Sequence, residues 1–279
     1  MSSWQTARFR IDLARPLVMG IVNVTPDSFS DGGSYADSAA ARAHCDALVA
    51  QGADLLDIGG ESTRPGARAP GLDEELARVL PVLRHAVTLG VPVSVDTSRP
   101  EVVRAALDLG ADIVNDVRAL QRPGALAVLA AHPSAGLCLM HMRGEPGSMP
   151  QDTAYGDVVA EVAAFLAGRL AAVLAAGIAA ERVVLDPGIG FAKTAAQNLE
   201  LLRRQPELLA LGRPLLLGWS RKSTLGAITG RPVGERVAAS VAAALAGALQ
   251  GASVLRVHDV QATVDALAVW RAAGLSRSG

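Results

Sequence analysis

Eight short apolar segments alternate with Ala/Leu-rich helical stretches, and nearly every segment ends in a charged or amide side chain; together these predict an α/β chain folded as a single (β/α)8 barrel of the TIM type, with its site at the C-terminal ends of the strands. The first segment, 17–25, is a near-continuous β-branched and apolar run, as in a strand buried on both faces. It carries the Asn23 carboxamide close to its end and opens into a Pro/Asp/Ser/Gly-rich loop, too long for a hairpin and too polar for a core. The other segments are 54–60, 92–97, 112–117, 136–142, 183–189, 214–220 and 254–260. Strands alternating with helices imply parallel pairing through right-handed crossovers. A doubly wound open sheet is the competing arrangement, and no Gly-rich dinucleotide fingerprint follows the first strand to support it.

Helical periodicity is expected over 38–51, 73–89, 100–109, 157–176, 235–250 and 262–273. Asp37 and Ser38 supply a start signal for the first helix, and Gly52, Gly90, Gly110, Gly177 and Gly251 fall just past helix ends. Residues 2–15 alternate apolar with polar ahead of the first barrel strand and suit a short hairpin closing the barrel bottom, so residues 1–279 read as one domain with 1–16 as an N-terminal extension.

At 279 residues and 50% hydrophobic content the chain can bury a barrel-sized core. A net charge of −1 points away from nucleic acid and from an anionic membrane as the main partner. No uninterrupted apolar run reaches the roughly 18 residues of a membrane span, and the N-terminus lacks the charged and apolar regions of a signal peptide. Cys45 and Cys138, without metal-ligand spacing, read as buried free thiols of a reducing compartment, and the cytoplasm is the expected location.

The polar strand ends carry the functional reading. In order they are Asn23; Asp57 and Glu61; Asp96; Asn115 and Asp116; His141 and Arg143; Asp186; Ser220, Arg221 and Lys222; Arg256, His258 and Asp259. A barrel gathers strand C-termini at one mouth, and buried unpaired charges are too costly to scatter through a core. Asp186, ending a Val-Val-Leu run, suits a ring edge bearing two adjacent N–H donors, or instead an internal pair with a Lys or Arg. Asp96 and Asn115 can satisfy the rest of such a ring, Asn115 alternatively being an interior hydrogen-bonder. Lys222 can oppose a ring carbonyl and balance Asp186, or form a strand-end salt bridge. Thr63 and Arg64 in a Gly/Pro-rich loop suit an anion such as phosphate. Arg256 and His258, two residues apart, place two donors on one side of the last strand, where with Asn23 they would form an anion pocket.

The stretches Asn-Val-Thr-Pro-Asp-Ser-Phe-Ser-Asp-Gly-Gly at 23–33 and Asp-Ile-Gly-Gly-Glu-Ser-Thr-Arg-Pro-Gly at 57–66 closely resemble signatures of the dihydropteroate synthase family. So do Ser-Val-Asp-Thr at 94–97, Asn115-Asp116, Leu-Met-His-Met at 139–142, Leu-Asp-Pro-Gly at 185–188, Ser-Arg-Lys-Ser at 220–223 and Arg-Val-His-Asp at 256–259. The match runs in order from about residue 17 to 273. The resemblance implies a folate-biosynthesis transferase that condenses (7,8-dihydropterin-6-yl)methyl diphosphate with 4-aminobenzoate, with Mg²⁺ assisting, as a homodimer and a sulfonamide target. It implies that Asp96, Asn115, Asp186 and Lys222 hold the pterin, with Met140 and Arg256 against its faces. It implies that Asn23, Thr63, Arg64, Arg256 and His258 hold diphosphate, with Asn23 as the metal contact and Asp96 near it. Phe29, Pro65, Phe191, Ser220 and Lys222 would shape the aminobenzoate pocket under loops 25–36 and 61–70, and Asp96, Lys222, Arg256 and His258 would carry the chemistry. One departure is visible: Ala192 stands where the family commonly has glycine. A methyltetrahydrofolate methyltransferase-type barrel would share the pterin-edge residues but handle no diphosphate, and a non-enzymatic paralogue would keep only the fold.

Overall fold

The computed structural model describes residues 3–25, 33–62, 68–144 and 152–274, the side chains of 33–37 excepted. The chain begins with a hairpin in which β1 (Ser3–Gln5) pairs antiparallel with β2 (Arg10–Asp12), Trp4 opposite Ile11. The barrel strands follow as β3 (Leu17–Asn23), β4 (Leu55–Gly59), β5 (Val93–Asp96), β6 (Ile113–Asp116), β7 (Gly136–Met140), β8 (Val183–Asp186), β9 (Leu216–Leu217) and β10 (Val254–Val257). All eight run parallel in the spatial order β8-β7-β6-β5-β4-β3-β10-β9. A bridge from Leu185 to Leu215, with Leu185 N donating to Pro214 O at 2.9 Å, joins the two ends into a nearly closed barrel. The first and last barrel strands are therefore neighbours, Arg256 lying opposite Met19.

The helices between them are α1 (Gly33–Ala50), α2 (Leu72–Ala86), α3 (Pro100–Asp108), α4 (Ala125–Ala130), α5 (Val158–Ala175), α6 (Ala195–Arg203), α7 (Gln205–Leu209), α8 (Ser223–Thr229), α9 (Val237–Leu249) and α10 (Val260–Ala272). One apolar cluster fills the space between strands and helices; Val22, Leu56, Val95, Val114 and Leu139 face Leu48, Val82, Val103 and Leu166. A second lies inside the lower barrel, where Leu17, Met19, Leu55, Ile113, Cys138, Val184, Leu216 and Val254 pack with Trp4 and Leu13. Trp4 is fully buried and its indole N–H donates to Arg182 O at 2.9 Å, so the hairpin stoppers the bottom of the barrel. The fully buried Asp112 pins it there, accepting from the Arg8 backbone and guanidinium and from Val93 N.

The expected strands overrun their ladders at the mouth. β8 ends at Asp186 because Pro187 has no N–H to give and Gly188 turns left-handed at φ +70°. β9 keeps only Leu216–Leu217: Pro214 gives no donor, and beyond Gly218 the chain turns, with Lys222 N donating to Trp219 O (3.2 Å) and Arg221 at φ +59°. α1 starts at Gly33, so Asp37 and Ser38 lie inside the helix rather than at its cap. Asp157 does cap α5, accepting from Val159 N and Ala160 N. By length and composition α5 could cross a membrane, but Val158, Val159, Val162, Leu166 and Val173 are buried on the barrel and Arg169 reaches Ala119 O at 2.8 Å.

Removing the stopper tests this architecture. Trp4→Ala should lose about 3–5 kcal/mol of stability in urea unfolding through the cavity it leaves, with the opposite face of the barrel unaffected; a loss below about 1 kcal/mol would contradict the role given to the hairpin.

Candidate active site

Asp57 occupies the third position of β4, inside the barrel and fully buried. Its Oδ2 accepts from Arg256 Nε across the barrel at 2.5 Å and from Asn115 Nδ2 on β6 at 3.0 Å. Arg256 extends its other arm to Asp96, Nη2 to Oδ2 at 2.8 Å. One guanidinium thus ties the last barrel strand to β4 and β5. Burial works against the Arg256 charge, but Asp57 and Asp96 outweigh it and the group stays cationic. Burial likewise pushes the Asp96 carboxyl up against the attraction of Arg256, with Asp57 and Glu61 adding repulsion. Desolvated, mutually perturbed groups of this kind in a cleft are candidates for function.

Above this floor opens a cleft of about 510 Å³. Asn23, Asp96, Phe191, Ser220, Lys222, Arg256 and His258 line it, together with Glu61 and Ser62 at the root of the second loop. Asn115, Met140 and Asp186 are buried and are not among its lining residues. Asn115 and Asp96 are register neighbours, as are Met140 and Asp186. Asp186 Oδ1 accepts from Gly188 N at 2.7 Å, and burial, partly opposed by that bond and by Lys222, raises its carboxyl to about 6. Met140 packs with Val117, Met142, Phe191 and Ala192 in a small apolar cluster. Phe29, Thr63, Arg64 and Pro65 lie outside the described residues.

The structure adds detail at two of these residues. Lys222 senses Asp186 electrostatically but makes no ion pair with it; its Nζ lies 4.2 Å from the centre of the Phe191 ring, and burial, reinforced by Arg256, lowers its pKa to about 8. His258 lies just beyond the β10 ladder with Nδ1 3.0 Å from Ser220 Oγ, and burial with Arg256 nearby depresses it to about 3. It is neutral at pH 7, so it offers an anion an N–H rather than a charge. The Ser220–His258 contact is not an activated nucleophile: the same Oγ accepts from His258 N at 3.1 Å, and such a weak base cannot draw its proton. Cys45 is buried, and desolvation lifts its thiol to about 12; Cys138 is buried and raised the same way. Both are free and inert.

Other polar strand ends hold the frame. Asp116 accepts from Ser98 Oγ and from the N–H groups of Arg118 and Leu120. Arg143 pairs with Glu161, and Arg221 with Asp259. Arg118 reaches Glu61 at 3.3 Å, both buried. Ala192 sits at φ +50°, a left-handed conformation that glycine adopts without strain, which gives its departure from the usual residue a physical meaning. Sequence reading left two residues without a role: Asp57, whose partners come from distant strands, and Lys193, buried beside His141. The signal for Asp57 was a lone carboxylate within Leu55-Leu56-Asp57-Ile58.

The family described as Pterin binding enzyme matches residues 19–258. The dihydropteroate synthase of Neisseria meningitidis serogroup B is 53% identical, the alignment covering 98% of both chains. The dihydropteroate synthase of Xanthomonas albilineans solved with 4-aminobenzoic acid superposes at a TM-score of 0.90 with 53% identity, covering 95% of each chain. That of Burkholderia cenocepacia complexed with 7,8-dihydropteroate superposes at 0.89 with 49% identity, covering 99% of each.

Truncating the central carboxylate probes the floor. Asp57→Ala leaves Arg256 with Asp96 alone and the Asn115 amide without its acceptor, and should cost about 3–5 kcal/mol in denaturant unfolding, as expected when one partner of a buried ion pair is removed. A cost within about 0.5 kcal/mol would mean that the two strands do not rely on it.

Proposed function

The chain belongs to the dihydropteroate synthase family of pterin binding enzymes, and we propose that it condenses (7,8-dihydropterin-6-yl)methyl diphosphate with 4-aminobenzoate to give 7,8-dihydropteroate and diphosphate. The observation that carries this reading is a cleft lined by Asp96, Lys222, Arg256, Asn23 and His258 that opens above the buried Asp57–Asn115 pair. The floor suits the donor-rich edge of a pterin, and the mouth suits an anion. Asp186, Asn115 and Asp96 receive the ring, Lys222 faces its carbonyl, and Met140 and Arg256 flank it. Asn23, Arg256 and His258 take the diphosphate, with Thr63 and Arg64 from the second loop. Phe191, Ser220 and Lys222, joined by Phe29 and Pro65, receive the aminobenzoate.

Among the described residues the site holds no activated nucleophile, which favours displacement at carbon without a covalent enzyme intermediate. The bond from the exocyclic methylene carbon to the diphosphate oxygen breaks, its electron pair leaving on oxygen. The electron-rich pterin carries the resulting positive charge with Asp96 beside it, and the amine lone pair then forms the carbon–nitrogen bond and releases a proton. Asp96 turns from Arg256 toward the ring as Arg256 takes up the leaving group. Exclusion of water, which would otherwise capture the cation, belongs to the same reading.

Mg²⁺ fits this donor set as an ion carried in with the diphosphate. Among the described residues no three His, Cys, Asp or Glu side chains cluster as a closed cage, whereas Asn23 faces the cleft with a hard amide oxygen and Asp96 lines the same cleft. When bound, the ion would offset charge on the departing diphosphate. A cytoplasmic homodimer belongs to the same reading. The anion-facing residues favour the synthase over a methyltransferase-type barrel, which would not bind diphosphate.

Diphosphate release from the pterin diphosphate with Mg²⁺ should depend on 4-aminobenzoate, and Asp186→Ala and Arg256→Ala should each lower kcat/KM about 100-fold or more. Turnover that ignores aminobenzoate, or none at all with pterin still bound, would overturn the reading. Without aminobenzoate, slow formation of the hydrolysed pterin is expected from the cation; its complete absence counts against the dissociative order. A carboxyl raised to about 6 is ionised above that pH and neutral below it. Pterin diphosphate affinity should therefore fall as pH drops through 6, by up to about tenfold per unit, and Asp186→Asn should flatten that limb in calorimetric titrations.

A further inference from the structure

We propose that Lys193 is the positioning residue for the aminobenzoate wall of the cleft: its buried side chain clamps the loop 187–192 against the end of β7 and thereby fixes Phe191. The inference rests on the synthase reading for what Phe191 contacts, but the clamp itself is a matter of geometry. Lys193 is only 8% exposed. Its Nζ lies 3.0 Å from each of three acceptors: His141 Nδ1, Gly188 O and Phe191 O. In its charged form Lys193 has three N–H donors and no acceptor, so this set satisfies it completely, with Nδ1 of a neutral His141 as the accepting atom. Burial first, and the cations Lys193 and Arg143 second, hold His141 near 3, which keeps it neutral. The Phe165 ring meets His141 edge-on at 4.9 Å between centroids and seats it.

The loop needs such a clamp. It leaves the sheet after Asp186 and passes through left-handed residues at Gly188, Gly190 and Ala192, so no strand ladder or helix holds it. A Cβ at Gly188 would stand 1.9 Å from His141 O, which shows how closely the loop lies on the end of β7. The other ties are Gly188 N to Asp186 Oδ1 at 2.7 Å, Phe191 N to Gly188 O at 3.1 Å within the loop, Gly190 N to Asn198 Oδ1 at 2.9 Å, and the Lys222 ammonium over the Phe191 ring at 4.2 Å. Of the three Lys193 bonds, two go to the loop and one to His141, just past β7; Gly190 and Phe191 are the loop residues that line the cleft. Burying an ammonium is costly even with its bonds made, and here the charge also faces Asp186 through space, while desolvation lowers it to about 7.

The test separates aminobenzoate from pterin. In Lys193→Met, KM for 4-aminobenzoate should rise about tenfold or more, while kcat and the Kd of the pterin diphosphate stay within about threefold. Amides of 188–191 should exchange faster with deuterium in the variant while those of the barrel strands do not. Should Lys193→Met not fold, Lys193→Gln, which keeps two N–H donors, carries the same test with a smaller rise in KM. An unchanged KM, or a parallel loss of pterin and aminobenzoate affinity together with a general rise in exchange, would overturn the clamp and leave Lys193 a purely structural residue. A parent chain without aminobenzoate-dependent turnover would instead remove the synthase reading, and the exchange measurement would still decide the clamp.

Discussion

The carboxylate of Asp57 organises the mouth of this barrel. It is buried, and a single oxygen receives both the Arg256 guanidinium from β10 and the Asn115 amide from β6. Without it, a guanidinium and a carboxamide would be left short of partners in a low-dielectric interior, at the cost such groups carry there. With it, Arg256 is drawn down and across so that its second arm reaches Asp96. Three strands far apart in the chain are thereby set at fixed distances, and the polar groups that face the cleft inherit that geometry.

The same arrangement makes the site responsive. Asp96 and Arg256 are partners in this structure, and each has a more favourable partner in the proposed complex, the ring for one and the leaving group for the other. Asp57 keeps Arg256 anchored by Nε while Nη2 is exchanged. Pre-organisation of this kind limits the reorganisation needed during reaction, which is where electrostatic catalysis gains most. Lys193 does for the loop beyond β8 what Asp57 does for the floor: each is a buried ionic group with several short bonds, placed under a residue that lines the cleft.

Much of this was legible beforehand. The alternation of apolar runs with helical stretches, and polar groups confined to the ends of the runs, was enough to place Asn23, Asp96, Lys222, Arg256 and His258 at one mouth. Strand ends were less legible, because at 183–189 and 214–220 the apolar character continues past the last ladder bond into turns governed by Pro187, Gly188 and Arg221. The short helices α4, α6 and α8 lack the length for a visible period, although Thr194 and Gln197 form a capping box at the start of α6. Asp57 and Lys193 escaped for another reason. Their side-chain partners lie 58, 199 and 52 positions away, and one sequence does not say which distant side chain a buried charge will meet.

The claim that Asp57 sets the working geometry of Arg256 is tested most directly by a double-mutant cycle. Pterin diphosphate affinity would be measured by calorimetry for the parent chain, Asp57→Asn, Arg256→Met and the double variant. Coupling of about 2 kcal/mol or more is the expected result, because the guanidinium acts through the position the carboxylate gives it. Effects that add within about 0.5 kcal/mol would contradict it and reduce Asp57 to a local counter-charge with no hold on the site.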